Sequence, residues 1–243
     1  MKTVWITGAS RGIGRACALQ FAAGGWGVAL HYCTDDGAAC ETAEACRALG
    51  ANVLPIRCDV ADRAAVFAAA DEICRRLGPI DALVNNAGIA QQKLFTDLTE
   101  SDWRRMMGVN LDGVFHCCQA VLPGMIHRKS GRIINISSMW GQVGASCEVH
   151  YSAAKAAVNG LTQALAKELG PSGITVNAVA PGVIDTEMNR LLDSETRTTL
   201  ADETPLERLG TPDEVARVVH FLAGSGGDFI TGQVIGVNGG FVI

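Results

Sequence analysis

Tyr151 and Lys155 stand four residues apart in His150-Tyr151-Ser152-Ala153-Ala154-Lys155-Ala156-Ala157-Val158, a stretch that reads as a helix start. That spacing is about one helical turn, so both side chains fall on one face. An ammonium beside a phenol favours the phenolate, and the pairing is expected to lower the Tyr151 pKa from about 10. A phenol tuned in this way can give one proton to the alkoxide left when hydride reaches a ketone. Taken alone, the pair is ordinary amphipathic surface. Asn135-Ile136-Ser137-Ser138 adds weight, because it sets hydroxyls at the end of an apolar strand, where active sites of α/β sheets gather. Ser138 could hydrogen-bond a carbonyl oxygen and steady the charge developing on it. The plainer reading of Ser137 and Ser138 is turn chemistry. Asn110 interrupts an otherwise helical stretch, where asparagine is unfavourable unless its side chain has a partner.

A second constellation lies at the N-terminus. Thr7-Gly8-Ala9-Ser10-Arg11-Gly12-Ile13-Gly14 follows the first strand pattern and opens a helical one. Gly8 can supply the sharp exit, Gly12 lets backbone approach a pyrophosphate, and Gly14 lets the helix pack closely on the sheet. The helix N-terminus then offers N–H groups and partial positive charge to phosphate. A dinucleotide-binding turn is expected over Gly8, Ser10, Arg11, Gly12, Ile13 and Gly14. The second strand ends His31-Tyr32-Cys33-Thr34, without a carboxylate until Asp35 and Asp36 in the following turn. Arg11 lies in the glycine loop, where it can meet a 2′-phosphate or remain a solvated cation. The expected cofactor is NADP(H) in preference to NAD(H).

The elements that must position these residues alternate along the chain. Apolar runs at Thr3–Thr7, Val28–Tyr32, Val53–Cys58, Ala82–Asn85, Arg132–Ser137, Thr175–Ala180 and Val234–Val237 read as strands covered on both faces. Helical patterns begin near Gly12, Gly37, Asp62, Ser101, Leu111, Tyr151 and Pro212. This rhythm predicts an α/β fold with one doubly wound parallel sheet in a single domain, 1–243. Asp185 to Gly210 departs from it, with a short helix expected around Asp193–Leu200. An excursion in that place reads as a substrate lid, with a surface insertion as the alternative.

Composition sets outer limits. The 243 residues are 48% hydrophobic with a formal net charge of −5, enough for a sizeable core and mildly against nucleic acid or an anionic membrane as partner. The nine cysteines form no C-x-x-C pair, which favours small buried thiols over disulfides or a zinc site, and no metal is expected. The N-terminus has no signal-peptide layout and no apolar run reaches membrane-spanning length, so a soluble cytoplasmic protein is expected.

The Thr7–Gly14 loop, Asp59, Asn85–Gly88, Asn110, Ser138, Tyr151/Lys155, Pro181-Gly182 and Gly232…Asn238-Gly239-Gly240 occur in an order and spacing that resembles the short-chain dehydrogenase/reductases. The resemblance covers essentially all 243 residues. It implies a Rossmann-type seven-stranded sheet flanked by helices on both faces. It also implies a catalytic tetrad of Asn110, Ser138, Tyr151 and Lys155, with Asn110 and Lys155 holding a water-linked proton relay. By the same resemblance Asp59 and Val60 contact the adenine, and Asn86, Ala87 and Gly88 line the ribose side. Lys155 grips the nicotinamide ribose, while Pro181, Gly182, Ile184 and Thr186 seat the nicotinamide. A homotetramer is implied, formed by Leu111–Arg128, Ser152–Leu169 and the C-terminal segment. Val114, Phe115, Val121 and Leu122 recur along the first of these helices, a pattern that burial against its own sheet also predicts.

Within the family the general resemblance is to 3-oxoacyl-[acyl-carrier-protein] reductases of fatty acid biosynthesis, with acyl carrier protein as an implied partner. The segment Ser138 to Val149 departs from that subgroup's small, Gly-rich stretch and is similar to reductases of the 5-aminopentanone-modified lysine of elongation factor P. On that reading Trp140 walls an alkyl chain and Glu148 pairs with an amine; otherwise Trp140 packs under the loop and Glu148 faces water. A catalytically idle dinucleotide sensor or scaffold is the alternative of another class, and it would not need Asn110, Ser138, Tyr151 and Lys155 together. His150 reads as a helix-start residue and Cys147 as a packing or wall thiol. Arg128 and Lys129 suit a helix C-terminus, or an acidic carrier protein.

Overall fold

A computed structural model describes residues 1–189 and 193–243. Its strands are β1 (Thr3–Ile6), β2 (Gly27–Tyr32), β3 (Val53–Arg57), β4 (Ile80–Asn85), β5 (Gly131–Ile136), β6 (Ile174–Pro181) and β7 (Val234–Val237). They form one sheet in the order β3-β2-β1-β4-β5-β6-β7, and every pairing is parallel. Strand order reverses between β1 and β4, which opens a crevice beyond their carboxyl ends. The helices are α1 (Gly12–Ala23), α2 (Asp36–Ala48), α3 (Arg63–Leu77), α4 (Glu100–Met107), α5 (Gly113–Arg128), α6 (Trp140–Val143), α7 (Val149–Leu169), α8 (Ser194–Asp202) and α9 (Pro212–Ala223).

The apolar runs are continuous because each strand serves two cores. Val4, Ile6, Val84 and Ile134 point into a cluster with α1, α2 and α9. Trp5, Leu83 and Ile133 point the other way, into a cluster with α3, α5 and α7. Alternation by parity therefore carries apolar residues at both parities. Asp35, Asp62, Thr99, Asp193 and Thr211 cap α2, α3, α4, α8 and α9 with their side chains. At α1 the N-cap residue is Arg11, which makes no such bond, and the first turn holds no acid. A capping side chain is worth about 1 kcal/mol, so α1 forgoes stability that its neighbours take.

Two expectations are corrected here. The Asn110 region is no α-helix: Gly108–Asp112 forms a π-helical turn between α4 and α5. Of the nine cysteines only Cys17, Cys46, Cys117 and Cys118 are buried; Cys33 is exposed in the turn after β2, and Cys40 and Cys74 are exposed because the small residues of α2 and α3 sit on both sides of their helices. All nine are free. Among the described residues no helix is long and apolar enough to cross a membrane.

Candidate active site

The site gathers at the carboxyl ends of β1, β4, β5 and β6. Beyond β5, Ser138 is buried and its Oγ accepts from the Trp140 N–H at 3.1 Å. The same hydroxyl lies beside the Tyr151 phenol and acts to lower its pKa. Lys155 follows one turn later on α7, 4% exposed, with Nζ 5.6 Å from the centre of the Tyr151 ring. Its ammonium donates to the Ile136 carbonyl at 2.8 Å, which anchors it to the end of β5.

The expected lowering of the Tyr151 pKa is not found. Burial pushes the phenol up to about 12; the Ser138 hydroxyl opposes this and the Glu148 carboxylate adds to it. Burial also pulls Lys155 down to about 8. Withdrawal from water disfavours both charged forms, and the ammonium is committed to a carbonyl. The phenol thus holds its proton at neutral pH and is set as a donor.

Asn110, fully buried, enters from the π-helical turn. Its Nδ2 donates to the carbonyls of Ile89 at 3.0 Å and Met106 at 3.2 Å, and its Oδ1 accepts from the Ile89 N–H at 3.3 Å. The extra residue of a π turn is a common device for re-aiming a side chain at a functional site. Asn110 and Lys155 converge on Gly88, where an added Cβ would lie 2.7 Å from Asn110 Oδ1 and 3.6 Å from Lys155 Nζ.

The glycine turn faces this group across the crevice. Gly8 and Gly12 adopt φ of +63° and +55°, which favour glycine. A Cβ on Gly14 would lie 2.1 Å from the Gly8 carbonyl oxygen, so α1 packs on the turn at a distance no side chain permits. The Asn86 side chain ties the end of β4 to this turn: its Nδ2 donates to the Thr7 and Gly8 carbonyls, both at 2.9 Å. The Thr7 hydroxyl accepts from the N–H groups of Asn86 and Ala87, each at 2.9 Å. With its inner groups bonded this way, and with α1 uncapped and free of first-turn acid, the turn fits a phosphate-bearing dinucleotide.

Other expected positions fall around the same crevice. Thr186 lies against Gly12, whose added Cβ would be 3.6 Å from its methyl. Pro181 ends β6, its carbonyl taking the Met139 N–H at 3.0 Å, and Gly182 follows with its N–H on the Val237 carbonyl at 3.0 Å. Ile184 is buried at the neck of the 185–210 excursion, which closes through a parallel bridge from Ile184 to Gly210. Residues 190–192 of that excursion, Arg190 to Leu192, lie outside the described residues. Asp59 Oδ1 accepts from the Ala61 N–H at 2.9 Å, which holds the turn after β3. The Val60 side chain instead packs into the core against Gly113, so a contact from Val60 to an adenine would come from its backbone.

Arg11 lies 3.7 Å from Asp35 and 3.6 Å from Glu187, both pairs exposed. Asp35 is at the same time the N-cap of α2, through the Ala38 N–H at 3.0 Å. Trp140 packs edge-on against Phe241 at 5.8 Å, so it braces the C-terminal tail. Glu148 is half-buried, accepts from Gln92 Nε2 at 3.3 Å, and has its carboxyl raised by burial. Sequence reasoning missed a network behind it: His150 Nε2 meets Gln91 Oε1 at 3.1 Å, Gln91 donates to Asp102 at 3.1 Å, and Asp102 pairs with Lys93 at 2.7 Å. The Thr99…Asp102 capping box was its one legible mark. Arg128 and Lys129 end α5 at the opposite edge of the sheet, where Arg128 Nη2 donates to the carbonyl of Ile80 at 2.7 Å. They do not border the site.

A family model described as enoyl-(acyl carrier protein) reductase matches residues 8–242. The chain is 43% identical over 239 residues to the 3-oxoacyl-[acyl-carrier-protein] reductase FabG of Staphylococcus aureus, covering 98% of this chain and 97% of that one. It is 42% identical over 242 residues to the protein of that name from Thermotoga maritima, covering 100% and 98%. It is also 41% identical over 241 residues to the uncharacterized oxidoreductase YmfI of Bacillus subtilis, covering 99% and 98%. Likeness of this depth, end to end, settles the lineage: the chain belongs to the short-chain dehydrogenase/reductases and is an oxidoreductase that reduces a carbonyl with a nicotinamide dinucleotide.

Proposed function

We propose that this chain, one domain over 1–243, is an NADPH-dependent 3-oxoacyl-[acyl-carrier-protein] reductase, cytoplasmic and homotetrameric. The observation that carries the reading is the Ser138–Tyr151 hydroxyl pair, with a phenol that burial keeps protonated. The cofactor supplies the hydride when bound. Tyr151 gives its proton to the carbonyl oxygen, and Ser138 holds that oxygen by a hydrogen bond as charge develops. A donor aimed at oxygen suits a C=O better than the C=C of an enoyl group. Lys155 grips the ribose, Asn110 completes the tetrad, and Lys155 and Asn110 flank the Gly88 position where a relay would run. Gly8, Ser10, Arg11, Gly12, Ile13 and Gly14 take the pyrophosphate, Asp59 and Val60 the adenine, and Asn86, Ala87 and Gly88 the ribose side. Pro181, Gly182, Ile184 and Thr186 seat the ring. The 185–210 excursion serves as the lid.

NADP(H) is favoured because the carboxylate nearest the second strand, Asp35, is engaged with the α2 N-terminus and Arg11. An exposed ion pair is worth about 0–1 kcal/mol, so Arg11 can exchange it for a 2′-phosphate at little cost. Relatives named as 3-oxoacyl-[acyl-carrier-protein] reductases support the carrier-bound substrate. A second reading, a reductase for the aminopentanone-modified lysine of elongation factor P, is favoured by Glu148, a half-buried carboxylate close enough to raise the Tyr151 pKa. Steady-state rates with NADPH and NADH, on acetoacetyl thioesters and on an amino-ketone, test both. Faster turnover of the thioester with NADPH supports the first reading, and preference for the amine-bearing ketone replaces it with the second.

A further inference from the structure

His31 is buried near the end of β2, 1% exposed, within an otherwise apolar run. Burial of a histidine is costly unless its ring nitrogens find partners. Nδ1 lies 3.1 Å from the Gly8 nitrogen and Nε2 lies 3.0 Å from the Cys58 carbonyl. The partners assign the tautomer: Gly8 brings a hydrogen, so Nδ1 accepts, and Cys58 brings a lone pair, so Nε2 carries the proton. The backbone of His31 adds a third tie, its carbonyl accepting the Ala9 N–H at 2.7 Å.

These bonds fall at two places that an adenosine diphosphate moiety would span. Gly8 is the φ +63° residue that starts the glycine turn. Its peptide is clamped from both sides, the N–H by His31 on β2 and the carbonyl by Asn86 at the end of β4. Cys58 immediately precedes Asp59, whose side chain holds the turn after β3. One imidazole therefore links the turn after β1 to the turn after β3. Burial pulls its pKa down to about 4, so the ring stays neutral and Nδ1 remains an acceptor at neutral pH.

We infer that His31 is a positioning residue for the dinucleotide, fixing the spacing between the pyrophosphate turn and the adenine turn through Gly8 and Cys58. This rests on the reading that the Gly8–Gly14 turn takes the cofactor. A residue that acts there shifts cofactor binding and leaves the carbonyl step alone. His31→Leu removes both side-chain bonds. His31→Asn keeps an acceptor near the Nδ1 position, and His31→Gln keeps a donor near the Nε2 position.

The test is titration of the wild type and each full-length variant with NADPH by fluorescence. It is paired with kcat at saturating NADPH, KM for an acetoacetyl thioester, and thermal unfolding. His31→Leu is expected to weaken NADPH binding at least tenfold, with kcat and the thioester KM within about twofold of wild type. His31→Asn is expected to recover most of that affinity and His31→Gln much less. The inference is overturned if His31→Leu lowers Tm while NADPH affinity holds, if kcat falls in place of affinity, or if Asn and Gln bind NADPH equally well. Should His31→Leu not fold, the Asn/Gln comparison decides by itself. Absence of NADPH binding by the wild type overturns the reading of the site itself, and is thereby distinguishable from failure of the His31 inference.

Discussion

Burial moves Tyr151 and Lys155 in opposite directions, to about 12 and about 8, and each shift carries a consequence that can be measured. On the proposed function, a phenol that stays protonated serves as the acid for carbonyl reduction, so Tyr151→Phe is expected to remove the proton donor and little else. Turnover is expected to fall by about 10²–10⁴ while NADPH affinity stays near wild type, checked by single-turnover NADPH oxidation beside a fluorescence titration. The lysine shift has a kinetic and a thermodynamic face. In the free enzyme Lys155 loses its charge as pH rises through about 8, so kcat/KM for NADPH is expected to decline above that pH. The unfolded chain keeps this proton until about 10.4 and so holds it more tightly than the folded one. Stability is therefore depressed below pH 8 and recovers as pH climbs from 8 towards 10. In Lys155→Met both the kinetic limb and this recovery should vanish, read from the pH profiles of rate and of Tm. The spacing of the pair was legible in the sequence. The direction of the phenol shift was not, because four residues of spacing report a shared face and say nothing of water.

The glycine turn and α1 work as one unit, and Gly14 is where they touch. An added Cβ there would lie 2.1 Å from the Gly8 oxygen and 2.5 Å from Asn86 Nδ2, so Gly14→Ala must push α1 away from β1. The expected outcome is a loss of about 1–3 kcal/mol in urea unfolding, accompanied by weaker NADPH binding since the uncapped N-terminus moves with the helix. This unit was readable in advance: a glycine at each crowded or positive-φ position, between a strand and a helix, leaves few alternatives. The π-helical turn at Gly108–Asp112 was not readable, because apolar residues continue through it at near-helical spacing and one extra residue scarcely alters the pattern. Nor was α6, since Trp140–Val143 follows Ser138 in a stretch rich in small residues. The link between Asn85, Asn135 and Thr162 across β4, β5 and α7, with bonds of 2.8 Å, joins residues 27 and 50 positions apart that only the sheet brings together.

A parallel sheet has two unlike edges, and the distinction sorts the surface of this protein. Strand carboxyl ends carry Ser138, the glycine turn and the mouth near Glu148; the amino ends carry Arg128, tied to Ile80. The position of Arg128 at the end of α5, just before β5, already places it away from the chemistry, because a helix that returns the chain to a parallel strand ends at the strands' amino edge. The helix that bears it is also split in use: Val114 and Val121 are buried against the sheet, whereas Phe115 is exposed. Phe229, between α9 and β7, and the terminal Ile243 are fully exposed as well. Large apolar side chains in water on elements expected at subunit contacts are what a homotetramer would cover. Sedimentation at micromolar concentration is expected to give four times the 25.5 kDa chain mass. A charge introduced by Phe229→Asp would be buried unpaired in any contact that covers this ring, so the variant should sediment at a lower mass with its far-UV spectrum unchanged. Equal masses for wild type and variant would remove Phe229 from the assembly surface, and a wild-type mass of one chain would remove the tetramer.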